Sequence, residues 1–123
     1  MNRSREIGKL GEHLAYQYLL TKGLRFLERN WRSAEGEIDL VMQDGEAIVF
    51  VEVKTRTTHE FGWPEESITR SKRLRLQRVA LAYLEANDQL HDEWRIDVIA
   101  IDLSHTGSVD RFEHIMHAIE EES

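Results

Sequence analysis

Cysteine is absent from the chain. That excludes a disulfide framework and thiolate metal sites, and it agrees with a reducing cytoplasm. Proline occurs once, as Pro64. With Gly62 and Trp63 before it, it marks a break between elements, not a linker between domains. Internal repeats and low-complexity stretches are missing. No apolar run approaches the ~20 residues that a membrane-spanning helix needs. The first residues, Met1 to Glu6, have no apolar segment behind them, so no signal peptide is expected. A nucleophile elbow and a phosphate-cradling glycine loop are both lacking, so serine hydrolysis and P-loop chemistry have no support. Positive charge is also in deficit. The net charge of −7 argues against a generic nucleic-acid binder by bulk electrostatics.

What is present is the material of one domain spanning residues 1–123. The length of 123 residues and the 41% hydrophobic content allow a substantial core. Charge is unevenly spread. Arg70, Lys72, Arg73, Arg75 and Arg78 form a basic block, whereas acids gather elsewhere. A locally basic face on an acidic body is compatible with that spread.

Apolar periodicity predicts a helix over 4–22, with Ser4 as N-cap and Gly23 closing it. Strands follow over 24–31, 38–42 and 47–53. The last two form a hairpin whose turn signal is Asp44-Gly45. Thr55 to Pro64 reads as loop, and a second helix starts at Glu65 or Thr69 and ends at Ala86. Residues 94–103 read as a strand. The pattern over 109–118 fits either a strand or a short helix. Apolar residues stand on both sides of the strand at 47–53: Val49, Val51 and Val53 on one, Ile48 and Phe50 on the other. This strand is expected to be central, with a helix over each face of a mixed sheet.

The hairpin carries charge at its open end. Side chains at i and i+2 of a strand share a face, so Glu37 pairs with Asp39, and Glu52 with Lys54. Antiparallel pairing brings Asp39, Glu52 and Lys54 together, away from the turn. Close carboxylates repel unless a cation joins them. Hard oxygen donors select Mg²⁺ or Mn²⁺, and the Val53 carbonyl adds one more oxygen. A lysine beside such an ion neutralises charge on a phosphate or orients a water. This is the inventory of metal-assisted phosphodiester hydrolysis. The bland alternative is a solvated strand edge with a weak ion pair. Against it, Glu52 follows five consecutive apolar residues, Ala47 to Val51, and a dry carboxylate needs a partner. Glu12, at the border of the first helix's apolar stripe, is placed to turn inward over the sheet. Gly8 and Gly11 beside it suit a close approach to other backbone.

These strings resemble a known group. Asp39 followed by Glu52-Val53-Lys54 is similar to the PD-(D/E)XK nucleases, with Ile38 where that pattern has proline. Gly8-x-x-Gly11-Glu12, Asn30-Trp31-Arg32, Gly36-Glu37-Ile38-Asp39-Leu40 and Val49 to Arg56 resemble the small bacterial YraN-like family, over nearly the whole chain through Arg95 to Val98. Archaeal Holliday-junction resolvases share the helix glutamate and the hairpin core. The resemblance implies a three-layer α/β/α, restriction-endonuclease-like fold. It implies Asp39 and Glu52 as metal ligands, Lys54 as the catalytic lysine and Glu12 as a further acid, with Glu37 in support.

Thr69 to Leu84 is a basic amphipathic segment. Its functional reading is that Lys72, Arg73 and Arg75 contact a nucleic-acid backbone, with Arg56 nearby; the plain reading is a solvated helix face. His59, Phe61 and Trp63 are open to base stacking or to anchoring the loop. Trp31 and Trp94 read as core or rim, His114 and His117 as structural or surface, and Asp97 as a partner for an arginine. Three functions follow: a metal-dependent nuclease on DNA, including branched or junction DNA; a catalytically silent nucleic-acid-binding module; or a protein-interaction module. A homodimer would give a small domain more surface for a duplex.

Overall fold

The structure is a computed structural model that describes residues 3–57 and 63–119. His59, Phe61 and Gly62 lie outside the described residues, so the stacking expected of the first two does too. The elements are α1 (Arg3–Thr21), β1 (Arg25–Ser33), β2 (Gly36–Asp44), β3 (Ala47–Arg56), a 3₁₀ turn (Pro64–Ser67), α2 (Arg70–Ala86), β4 (Trp94–Leu103) and β5 (Val109–Ile119). The strands form one five-stranded sheet in the order β1-β2-β3-β4-β5. All neighbours are antiparallel except β3 and β4, which are parallel. The α2 segment lies in the connection between those two, as a parallel crossover requires.

The mixed sheet and the helix on each face agree with the sequence pattern. Val49 and Val51 pack with Ala15 and Leu19 of α1. Ile48 and Phe50 pack with Leu76, Val79, Ala80, Tyr83 and Leu84 of α2. β3 is apolar on both sides because each side meets a helix. Trp31 and Trp94 are partly buried against the α2 cluster, where Tyr83 meets Trp31 edge-on at 5.2 Å.

Local chemistry accounts for the ends. Gly23, at φ +88°, closes α1: its N–H bonds to Leu20 O at 3.0 Å and that of Leu24 to Leu19 O at 3.1 Å, the paired bonds of a Schellman cap. Thr69 caps α2 by accepting from the Lys72 N–H at 3.3 Å. Between β2 and β3, Asp44 pairs with Ala47 and leaves Gly45-Glu46 as a two-residue loop. Gly45 takes the positive φ (+60°) that a hairpin turn needs at its first position.

Four local expectations change. Ser4 lies inside α1, not before it. Thr55 and Arg56 belong to β3, not to a loop, because Ile101 and Asp102 of β4 offer them backbone partners. Residues 109–119 are a strand. Close approach holds for Gly11, where an added Cβ would fall on Thr55 Oγ1 and lie 2.9 Å from Thr55 Cβ. It fails for Gly8, which has nothing within 4 Å of that position.

Candidate functional site

The β2–β3 ladder runs from Asp44↔Ala47 to Leu40↔Val51 and then stops. One step further, the Asp39 side chain takes over from the backbone. Its Oδ2 accepts the Val53 N–H at 2.8 Å. The strands part here, and the charged end of the hairpin opens into a cleft of about 330 Å³. Gly36, Glu37, Asp39, Glu52, Val53 and Lys54 line it from the sheet, and Lys72, Arg75 and Leu76 from α2. Alternation explains the sheet side: Ile48 and Phe50 face α2, so Glu52 and Lys54 do too. Helical spacing explains the other wall, since residues 72, 75 and 76 stand on one face of α2.

Glu52 and Lys54 form an ion pair at 3.7 Å, with 16% and 28% of their side chains exposed. The Asp39 carboxyl is pushed well above the usual carboxylate range. Burial is the largest cause, followed by the hydrogen-bonding and charged Glu52 carboxylate beside it; the Val53 N–H opposes both. Glu37 adds a smaller upward push and pairs with Arg32 at 3.6 Å on an exposed rim.

Glu12 stands outside the cleft lining but feels the charges in it. Asn30 Nδ2 donates to Glu12 Oε1 at 2.8 Å. Burial raises the Glu12 carboxyl, the Asn30 bond lowers it, and the charges of Asp39 and Glu37 raise it further. Asn30 has φ +52° in the middle of β1, a conformation asparagine tolerates better than most residues. Its role was hidden in the sequence because the partner lies 18 residues away on another element. Gly36, at φ +141°, also matters for shape: a Cβ there would meet Val79 Cγ2 at 3.1 Å and Arg75 Cδ at 3.4 Å. The bare backbone lets the Arg75 stem lie across the start of β2.

Two basic residues are placed differently from expectation. Arg73 lines a separate hollow with Glu65, Ile68, Val98, Ile115, Ala118 and Ile119, because it lies on another face of α2. Arg56 follows the site on β3, paired with Asp102 of β4, and is not among the cleft-lining residues. Lys72 lines the cleft while its Nζ donates to Ser67 O at 3.1 Å. Trp63 anchors its segment, with the Arg111 guanidinium 4.5 Å from the ring centroid. Arg111 also binds both Glu65 oxygens, at 2.9 and 2.6 Å.

A second polar cluster sits on the α1 side. Asp97 is fully buried and takes bonds from Arg95 Nε at 3.0 Å, from the His117 N–H at 3.1 Å and from His114 Nε2 at 2.8 Å. The other ring nitrogen of His114 meets Tyr18 OH at 3.0 Å, and Arg95 also reaches Asp44 at 3.1 Å. Burial alone would raise the Asp97 carboxyl; the bonds from His114, Arg95 and His117 outweigh it and hold it below the usual range.

The donor set suits a hard divalent ion in part. Asp39, Glu52 and the Val53 carbonyl supply oxygens, and a cation between the carboxylates would relieve the repulsion that raises Asp39. Among the described residues, no group of three His, Cys, Asp or Glu side chains converges as a metal cage. Such a two-carboxylate set matches the way Mg²⁺ is usually held, with waters and substrate phosphates completing the shell. No helix among the described residues is long and apolar enough to cross a membrane.

Comparison with known proteins places the chain in a family. Residues 11–101 match the Uncharacterised protein family UPF0102. A UPF0102 protein of Beutenbergia cavernae is 48% identical over 109 residues, covering 89% of this chain and 92% of its own. One from Pelotomaculum thermopropionicum is 44% identical over 112 residues, covering 91% and 93%. Among solved structures, that of Pyrococcus furiosus SfsA in complex with Ca²⁺ gives a TM-score of 0.43 at 17% identity, covering 96% of this chain and 65% of that one. The chain belongs to the UPF0102 family.

Proposed function

We propose that this protein is a divalent-metal-dependent nuclease of the PD-(D/E)XK type, acting on DNA phosphodiester bonds, branched structures included. The observation that carries the reading is the shared cleft: Asp39, Glu52 and Lys54 face Lys72 and Arg75 across it. Carboxylates alone would repel a phosphodiester; cations alone would bind it without activating anything. In this reading Asp39, Glu52 and the Val53 carbonyl hold Mg²⁺ or Mn²⁺. When bound, such an ion supplies Lewis-acid polarisation of a phosphoryl oxygen. Lys54 neutralises charge that builds on the phosphate in the transition state. Lys72 and Arg75 hold the flanking backbone, and Glu12, set by Asn30, adds field at the rim.

Purified protein incubated with single-stranded, duplex and junction DNA and Mn²⁺ or Mg²⁺ is expected to cleave at least one of them. Asp39→Ala or Glu52→Ala should abolish cleavage, and Lys54→Ala should slow it roughly 10²-fold or more. Cleavage indifferent to Asp39→Ala and Glu52→Ala, or none on any substrate, would sink the reading. A silent nucleic-acid-binding module is the second reading. The basic wall of Lys72 and Arg75 favours it, and it predicts salt-dependent binding without metal-dependent cutting.

A further inference from the structure

A hollow of about 420 Å³ on the α1 side of the edge strand β1 is lined by His13, Tyr16, Phe26 and Arg29. Phe26 is 42% exposed. Tyr16 meets it edge-on at 5.4 Å and stacks toward His13 at 6.3 Å. The Arg29 guanidinium lies 5.0 Å from the Tyr16 ring and 5.9 Å from the Phe26 ring. Three rings and a cation share this open surface, His13 and Tyr16 from α1 and Phe26 and Arg29 from β1.

The strand is built to make this cluster. Phe26 and Arg29 are three residues apart, and in a regular strand they would face opposite sides. The register with β2 shifts between Phe26 and Glu28, as a bulge does. Leu27 packs into the α2-side core, and the charge of Glu28 acts on Tyr83 of α2. Both therefore lie on the α2 side. The extra residue returns Arg29 to the face of Phe26 and Tyr16. The next residue, Asn30, turns to Glu12 on that same side. Arg29 in turn lowers the Glu12 carboxyl by its charge, so the hollow borders Glu12.

We propose that this hollow is a stacking platform for an unpaired base of single-stranded nucleic acid, reached by a strand that leaves the cleft and wraps around the β1 edge to the α1 face. The inference rests on the nucleic-acid reading of the cleft. Aromatic faces bind any base, and the arginine adds attraction to the base and its phosphate. The bulge directs Glu28 away, so this face offers Arg29 and no Glu28 carboxylate to the incoming phosphates.

The test is the affinity of the full-length chain, in EDTA, for a fluorescent dT oligonucleotide of roughly ten nucleotides and for an abasic strand of the same length. Phe26→Leu and Tyr16→Leu keep apolar bulk and remove the ring. Each is expected to weaken dT binding roughly 5- to 150-fold and to leave abasic binding unchanged. If wild type binds dT and both variants bind it equally well, the platform is wrong while the cleft reading stands. If wild type binds neither strand, the platform falls, while the cleft reading is decided by the cleavage assay with metal. Should a variant fail to fold, the ring resonances of Phe26 and Tyr16 in wild type decide: they shift on adding dT if a base stacks there, and an unchanged position overturns the proposal.

Discussion

Two aspartates on the sheet show how neighbours set a carboxyl's character. Asp39 sits beside Glu52 at the cleft and is raised; Asp97 is fully buried yet is lowered, because His114, Arg95 and the His117 N–H all donate to it. The signs for stability are opposite. Ionised Asp39 costs stability at pH values above its raised folded value, and the cost vanishes below about pH 4, where it is protonated folded or unfolded. Asp39→Asn keeps an acceptor for Val53 and should stabilise the protein by roughly 0.5–2 kcal/mol at pH 7 without metal. That gain should fade toward acid. Asp97 contributes stability above the ordinary carboxylate range, and it is lost as pH falls through its lowered folded value. Asp97→Ala leaves His114 without its anion and Arg95 with Asp44 alone, and should cost roughly 3–5 kcal/mol. Thermal unfolding of both variants between acid and neutral pH checks the pair; a shift of the same sign in both would contradict it.

Elements carry the next level of constraint. α1 reaches β3 at Gly11, where Thr55 occupies the space of a side chain. Gly11→Ala should destabilise by roughly 1–3 kcal/mol, and Thr55→Ala should recover part of that loss. Denaturant titration of the two single variants and the double reads the coupling, and additive losses would refute the contact. Periodicity made α1, α2 and the strands β2 to β4 readable, because each buries a continuous stripe or face. β5 was ambiguous for a physical reason. It is an edge strand with many exposed positions, and a register shift near His117, at φ +50°, breaks its alternation. Within the site, Asp39, Glu52 and Lys54 were legible because one hairpin carries them all. The basic block does not by itself separate Arg73, which lines the neighbouring hollow, from Lys72 and Arg75, which line the cleft. Asn30 and the Phe26–Arg29 cluster depend on irregularities of β1, which no period announces.

For the whole molecule, a net charge of −7 makes the placing of its few cations decisive. On the proposed reading a polyanion is repelled by the body and attracted where Lys72 and Arg75 meet the cleft and at Arg29. Binding should therefore fall steeply with salt, by roughly 0.7 in log–log slope for each phosphate held on a single strand. Lys72→Ala and Arg75→Ala should each lower that slope by about one contact, whereas Arg73→Ala should leave it unchanged. Anisotropy titrations at several salt concentrations test this, and an equal effect from Arg73→Ala would return the contact to the helix as a whole. The parallel join of β3 to β4 has a consequence in time. Hairpin β2–β3 closes over two residues, whereas β3–β4 must wait for the chain between Arg56 and Trp94 to be gathered in, a slower search. Asp39 and Glu52 therefore meet early and in water, and their desolvation arrives only when α2 and β4 dock. Folding kinetics read this order: Val41→Ala should slow folding, and Ile99→Ala should chiefly speed unfolding. The protein assembles its acids first and closes the walls around them last.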